Sequence, residues 1–116
     1  MLKPVSQELK TYLETILPPA AFPEISEKYL TEPRGRYQGV AGIIVAPDCT
    51  DQVSKIIFAA ARANIGVIPY GGGTGLVGGQ LLPTSREEVP EPIIMSLSRM
   101  FKVRSCHPEE NVLVVE

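Results

Sequence analysis

Six glycines fall within the nine positions from Gly71 to Gly79, inside the stretch VIPYGGGTGLVGGQ that runs from Val67 to Gln80. Glycine loses more backbone freedom on folding than any other residue, so a run of them is costly unless the chain needs positive φ or a close main-chain approach. Both needs arise where backbone amides converge on an anion. Gly73, Gly75 and Gly78 satisfy the dinucleotide spacing G-x-G-x-x-G behind a short apolar run. That fingerprint requires a helix opening at its third glycine, and Gly79, Pro83, Pro90 and Pro92 leave no room for one. A triphosphate loop would need Lys and then Ser or Thr after the last glycine, whereas Gln80 follows Gly79 and no charged residue lies between Val67 and Leu82. A third chemistry is a diphosphate cradle built from backbone alone, with the Thr74 hydroxyl as an added donor. Hydrogen bonds to a charged oxygen contribute ~1.5–3 kcal/mol each, so a few of them offset much of the ordering cost. A β-branched residue at Gly75 is expected to resist φ > 0 and block such an approach. The bland alternative is a flexible linker. Linkers of that kind are usually serine-rich, and Leu76 and Val77 point instead to a loop packed onto a core.

Other chemistry-bearing residues are sparse. Cys49 and Cys106 stand apart, with no CxxC and no His/Cys spacing of a zinc site, and read as reduced bystanders. His107 follows Cys106 directly, but adjacent side chains usually point apart, and Pro108, Glu109 and Glu110 read as an exposed turn.

The elements that must position the loop follow from periodicity. Val5, Leu9, Tyr12, Leu13 and Ile16 draw one apolar stripe on a helix that Pro18 and Pro19 must stop. Residues 20–39 read as irregular chain with one short helical turn near Ser26 to Leu30. GIIVAP, from Gly42, is a short continuous apolar run ended by proline, as in a strand buried on both faces. Thr50 suits an N-cap and Asp51 the positive helix end; Val53, Ile56, Ile57, Ala60 and Ala61 form an apolar face that ends near Asn64 and Gly66. VIP then makes a second strand, giving a parallel βαβ unit with the glycine run at its end. Leu82 to Pro92 is a proline-rich surface loop, PIIMSL a third strand and NVLVVE a fourth. The fourth strand is expected to leave an edge open to self-association or to a partner chain, and its abrupt stop suggests a fragment of a longer protein.

The 116 residues, 44% hydrophobic and 21% charged, suit one domain with a real core. A net charge of −2 offers nothing to nucleic acid or an anionic membrane, so any anion must be held locally. The longest apolar run, Val40 to Ala46, is far short of a membrane span, and no basic-then-apolar leader opens the chain, so the default expectation is cytoplasmic.

P-x-G-G-G-T-G-L-x-G-G, from Pro69 to Gly79, resembles the diphosphate loop of FAD-linked oxidases of the vanillyl-alcohol oxidase and p-cresol methylhydroxylase type. It is most similar to the 2-hydroxy acid dehydrogenase branch, which includes D-lactate dehydrogenase, the glycolate oxidase FAD subunit and D-2-hydroxyglutarate dehydrogenase. The resemblance extends over residues 41–116, through IIVAPDCTDQVSKIIFAAARANIGVIP, IIMSLSRM and NVLVVE, and only loosely over residues 1–40. It implies an α/β fold, a small three-stranded parallel sheet flanked by helices, as the first subdomain of a PCMH-type FAD-binding domain. Residues 1–40 would then be a helix and an irregular lead-in. It implies that Gly71, Gly72, Gly73, Thr74, Gly75, Leu76, Gly78 and Gly79 line the FAD diphosphate, with Pro69 and Tyr70 setting the entry to the loop. Some relatives attach FAD through a histidine in this loop; Thr74 and the lack of histidine there imply non-covalent FAD. Relatives continue into a second FAD subdomain and a substrate cap, so no residue of this chain is nominated as catalytic. A stand-alone phosphate or nucleotide module, or a structural remnant that completes a site with a partner chain, is the competing expectation.

Overall fold

The computed structural model describes residues 1–83 and 89–116. The proline-rich loop expected over Leu82 to Pro92 therefore falls partly outside the described residues, at 84–88.

Helix α1 spans Gln7–Ile16. The Ser6 hydroxyl accepts from the Leu9 amide at 3.2 Å, satisfying one of the first-turn donors, and Pro18 cannot extend the helix. A single 3₁₀ turn at Pro19–Ala21 leads to α2, Glu27–Leu30, the short helical turn expected near Ser26 to Leu30. Strand β1 covers Ile43–Val45, α3 covers Thr50–Ala63 and β2 covers Val67–Tyr70.

Two details of α3 differ from expectation. Cys49, not Thr50, is the N-cap, and it makes no side-chain cap bond; instead the Gln52 side chain reaches back to accept from the Asp48 amide at 3.0 Å. The buried face is Ile56, Ala59 and Ala60 with Val53 and Ala63 beside it, while Ile57 and Ala61 are exposed. At 100° per residue the stripe through 53, 56, 60 and 63 is the one that faces α1 and the sheet. Asn64 ends the helix in the left-handed region at φ 57°, and its amide reaches Ala60 O and Ala61 O.

The third strand, β3 at Ile93–Ser96, lies between the other two, in the order β1-β3-β2, all parallel. The βαβ unit is thus split: α3 carries the chain from one edge of the sheet to the other, and β3 fills the gap. All four β3 residues are buried, as a central strand covered on both faces requires. Alternation sends Ile93 and Met95, with Val45, to the α1 and α3 side, where Leu9, Leu13, Ile56 and Ala60 meet them. Ile94 and Ile44 point the other way and pack with Tyr29 of α2 and Tyr70 of β2. Each fully buried Ile or Leu in these layers stabilises the fold by about 1.5–3 kcal/mol.

Val103–His107 form a further strand, β4, which no apolar period in the sequence marks. It pairs antiparallel with β5, Val112–Val115, across a 3₁₀ turn at Pro108–Glu110 and a left-handed Asn111. NVLVVE therefore does not extend the parallel sheet, and one of its two edges is already paired. Cys106 and His107 lie on this exposed hairpin, where His107 Nε2 contacts Ser105 Oγ at 3.1 Å and no metal-binding cluster exists among the described residues. Among the described residues no helix is long and apolar enough to cross a membrane.

Candidate diphosphate loop at the carboxyl end of the sheet

In a parallel sheet the carboxyl ends of the strands share one rim, and β2 delivers the glycine run there. Tyr70 anchors the departure. Its ring is buried edge-on against Tyr29, with centroids 5.0 Å apart, and its hydroxyl donates to Lys28 O at 2.6 Å. Burial, and then the neighbouring Tyr29, push its pKa up, so the phenol stays a donor. Its carbonyl accepts from the Leu97 amide at 2.9 Å, tying the start of the loop to the segment after β3.

Beyond Tyr70 the chain bends from Gly71 to Gly79 with no helical residue. Only Gly73, at φ 72°, and Gly78, at φ 73°, adopt positive φ in this run. Gly75 does not, contrary to the expectation of φ > 0 there: a side chain would meet Gln80 Oε1 at 3.3 Å and would not be excluded by backbone strain. A Cβ at Gly73 would collide with the Tyr70 ring and hydroxyl, whereas at Gly71, Gly72 and Gly79 it would meet nothing within 4 Å. Those three glycines present open main chain that a ligand can approach.

The loop's polarity is one-sided. Gln80 Nε2 donates to Gly75 O at 2.9 Å and to Gly73 O at 3.4 Å, Arg34 Nη2 donates to Leu76 O at 2.6 Å, and the Leu81 amide donates to Gly78 O at 3.1 Å. Among the described residues, none of the backbone amides from Gly71 to Gly79 donates to a protein acceptor. Four of the loop carbonyls are thus engaged while its amides have no acceptor among the described residues, a set of donors of the kind a diphosphate requires. The residues present therefore fit the group.

Leu76 and Val77 do not pack onto the core; they are 46% and 90% exposed. The loop is held from its ends and flanks by Tyr70, Gln80, the buried Leu81 and the segment from α2 to Val40, so its middle needs no apolar anchor. Beyond its one helical turn that segment has no period in the sequence. It supplies Lys28 O under Tyr70, the Tyr37 ring 3.4 Å from where a Gly78 Cβ would stand, and main-chain pairing of Val40 with Leu82 and of Gly39 with Pro83. It also brings a cation, Arg34, to a loop that has no charge of its own. Gln80 was legible only as a long polar residue directly behind the glycines; nothing in the sequence ties Arg34 to a carbonyl 42 positions away.

A D-lactate dehydrogenase [cytochrome] of Arabidopsis thaliana is 27% identical over 118 residues, which is 98% of this chain and 20% of that protein. A probable D-2-hydroxyglutarate dehydrogenase of Oryza sativa subsp. indica is 33% identical over 82 residues, 71% of this chain and 14% of that protein. The chain thus spans a fifth or less of the length of these curated relatives. Among solved structures, an alkyldihydroxyacetonephosphate synthase superposes with a TM-score of 0.73 at 19% identity, over 94% of this chain and 22% of that one, a likeness of fold. The FAD binding domain family matches residues 41–116, which hold β1, α3, β2, the whole glycine loop and the two strands beyond β3, and the chain belongs to that family.

Proposed function

We propose that this chain supplies the diphosphate-cradling portion of an FAD-dependent oxidoreductase acting on a 2-hydroxy acid. The observation that carries the reading is the one-sided loop: among the described residues its amides from Gly71 to Gly79 have no protein acceptor, while Gln80 and Arg34 engage the carbonyls of Gly73, Gly75 and Leu76. In this reading Gly71, Gly72, Gly73, Thr74, Gly75, Leu76, Gly78 and Gly79 hold the diphosphate through main-chain donors and the Thr74 hydroxyl. Pro69 and Tyr70 set the direction in which the loop leaves β2. Residues 41–116 are the first FAD-binding subdomain, and residues 1–40 complete its core through Leu9, Leu13 and Leu17.

FAD, when bound, supplies the hydride acceptor; the residues of this chain bind and orient it. The 2-hydroxy acid class rests on the names of the relatives, which act on D-lactate and D-2-hydroxyglutarate. No residue here is assigned to substrate chemistry. Those relatives are named as mitochondrial proteins, so the cytoplasmic expectation gains no support from them. Attachment of FAD is non-covalent at this loop, because Thr74 stands where a histidine would be needed and the chain's one histidine is on β4.

The test is titration of the chain with FAD, following flavin fluorescence and the melting temperature. Binding is expected to quench the one and raise the other, and acid precipitation is expected to release all flavin into the supernatant. If neither signal moves, the cradle reading fails for the isolated chain. If inorganic pyrophosphate protects as well as FAD does, the competing phosphate-module reading is favoured.

A further inference from the structure

Glu32 is 1% exposed, and its carboxylate is only half satisfied. Oε1 accepts from the Arg36 amide at 2.8 Å, while Oε2 has no hydrogen bond and faces Arg34 Nε at 3.5 Å. A buried carboxylate stays charged only through the partners that face it, here the Arg36 amide and the Arg34 guanidinium, and it fixes those partners in turn. What it holds is Arg34. The left-handed Gly35, at φ 68°, turns the chain so that Arg34 and Arg36 both return to Glu32, and the Gly35 amide closes the turn on Glu32 O at 2.8 Å. The guanidinium is a rigid fork. With Nε turned to Glu32, Nη2 lies 2.6 Å from Leu76 O, in the middle of the glycine loop.

We infer that Arg34 is a positioning residue for the glycine loop, aimed by the buried Glu32 carboxylate, and that together they preset the loop with its carbonyls held and its amides free. The inference rests on the cradle reading for its purpose but not for its geometry. Gln80 performs the same task on Gly73 O and Gly75 O from inside the loop; Arg34 performs it from the segment after α2. Between them they engage three carbonyls across the span where the main chain would otherwise be free to turn either polar edge outward. Presetting lowers the ordering cost paid at binding, which is where a glycine-rich loop otherwise loses affinity.

The experiment compares the 116-residue chain with Arg34→Gln, Arg34→Lys and Glu32→Gln. Amide order parameters of Gly73 to Gly78 are measured without FAD, FAD affinity is measured by fluorescence titration, and the melting temperature serves as a control. In the wild type the loop amides are expected near ~0.85, and in Arg34→Gln below ~0.6, the values that separate rigid from flexible backbone. FAD affinity is expected to fall roughly tenfold, as for loss of one charge-assisted contact. Arg34→Lys keeps the charge without the fork and is expected to behave like Arg34→Gln; Glu32→Gln is expected to loosen the loop in the same way. Unchanged order parameters in Arg34→Gln would overturn the inference, and so would full recovery of both readouts in Arg34→Lys. Should Glu32→Gln fail to fold, the Arg34 variants still decide, since that side chain is 41% exposed. Absence of FAD binding in the wild type would sink the cradle reading and leave the order-parameter comparison intact.

Discussion

Gly72 and Gly73 are neighbours in one loop, yet alanine should affect them differently. Gly73 sits at φ 72° with Tyr70 where a Cβ would be, so Gly73→Ala must displace either the loop or a ring that anchors it. We expect a loss of about 1–3 kcal/mol in stability, the usual cost of an enforced left-handed residue with added crowding, read as a lower melting temperature and weaker FAD binding. Gly72 has an ordinary φ and open space, so Gly72→Ala should change stability by less than ~0.5 kcal/mol. If its methyl instead blocks a ligand approaching the main chain, FAD affinity falls while the melting temperature of the FAD-free chain stays put. That split separates a binding surface from a folding constraint. The glycine count was plain in the sequence; which glycines are strained depended on where Tyr70 and Tyr37 packed.

At the scale of elements, the segment from α2 to Val40 carries more than its irregular sequence suggested. Burial of Glu32 alone would raise its pKa; the Arg36 and Arg34 amides and the Arg34 guanidinium outweigh that and hold it below the usual carboxylate range. A carboxylate depressed in the folded state lends stability that is present above its unfolded value and is lost as pH falls through the folded one. The melting temperature should therefore drop as acid is added below about pH 4.5, and Glu32→Gln should flatten that part of the curve. Thermal melts at stepped pH decide this: equal slopes in both proteins would remove Glu32 from the acid response. The helices were legible because α1 and α3 carry a 3.6-residue stripe, although the face of α3 was set by its neighbours and excluded Ile57. Residues 31–39 have no period to read. A local turn from Glu32 to Gly35 is closed within the segment, but its contacts to Leu76, Gly78, Leu82 and Pro83 are distant in sequence and carry no local signal.

The molecule as a whole is extended, with a radius of gyration of 15.5 Å against about 13 Å for a compact chain of this length. Every residue of β5 is exposed, with Val112 and Val114 on one face of the hairpin and Leu113 and Val115 on the other, and Val103 and Phe101 are exposed as well. Surfaces of that kind are found where protein meets protein, and in isolation they drive association. The chain alone should show concentration-dependent sedimentation that Leu113→Lys reduces, with the melting temperature unchanged because Leu113 is 57% exposed. A concentration-independent wild type would show that these exposed side chains do not drive association.

Composition and order along the chain determined that a strand, a helix and a second strand lead into a side-chain-poor loop, because apolar period and glycine placement are local properties of the backbone. The Pro69 to Gly79 motif likewise carried the family, which the match over residues 41–116 bears out. Tertiary structure alone decided that β3 enters between β1 and β2, that the last strand folds back on β4, and that Leu76 and Val77 face solvent. It also decided the polarity of the loop. Free amides and engaged carbonyls depend on Gln80 curling back and on Arg34 arriving from 42 residues away under the direction of a buried carboxylate. A sequence lists donors and acceptors, but which of them remain unpaired is settled only when every element has packed.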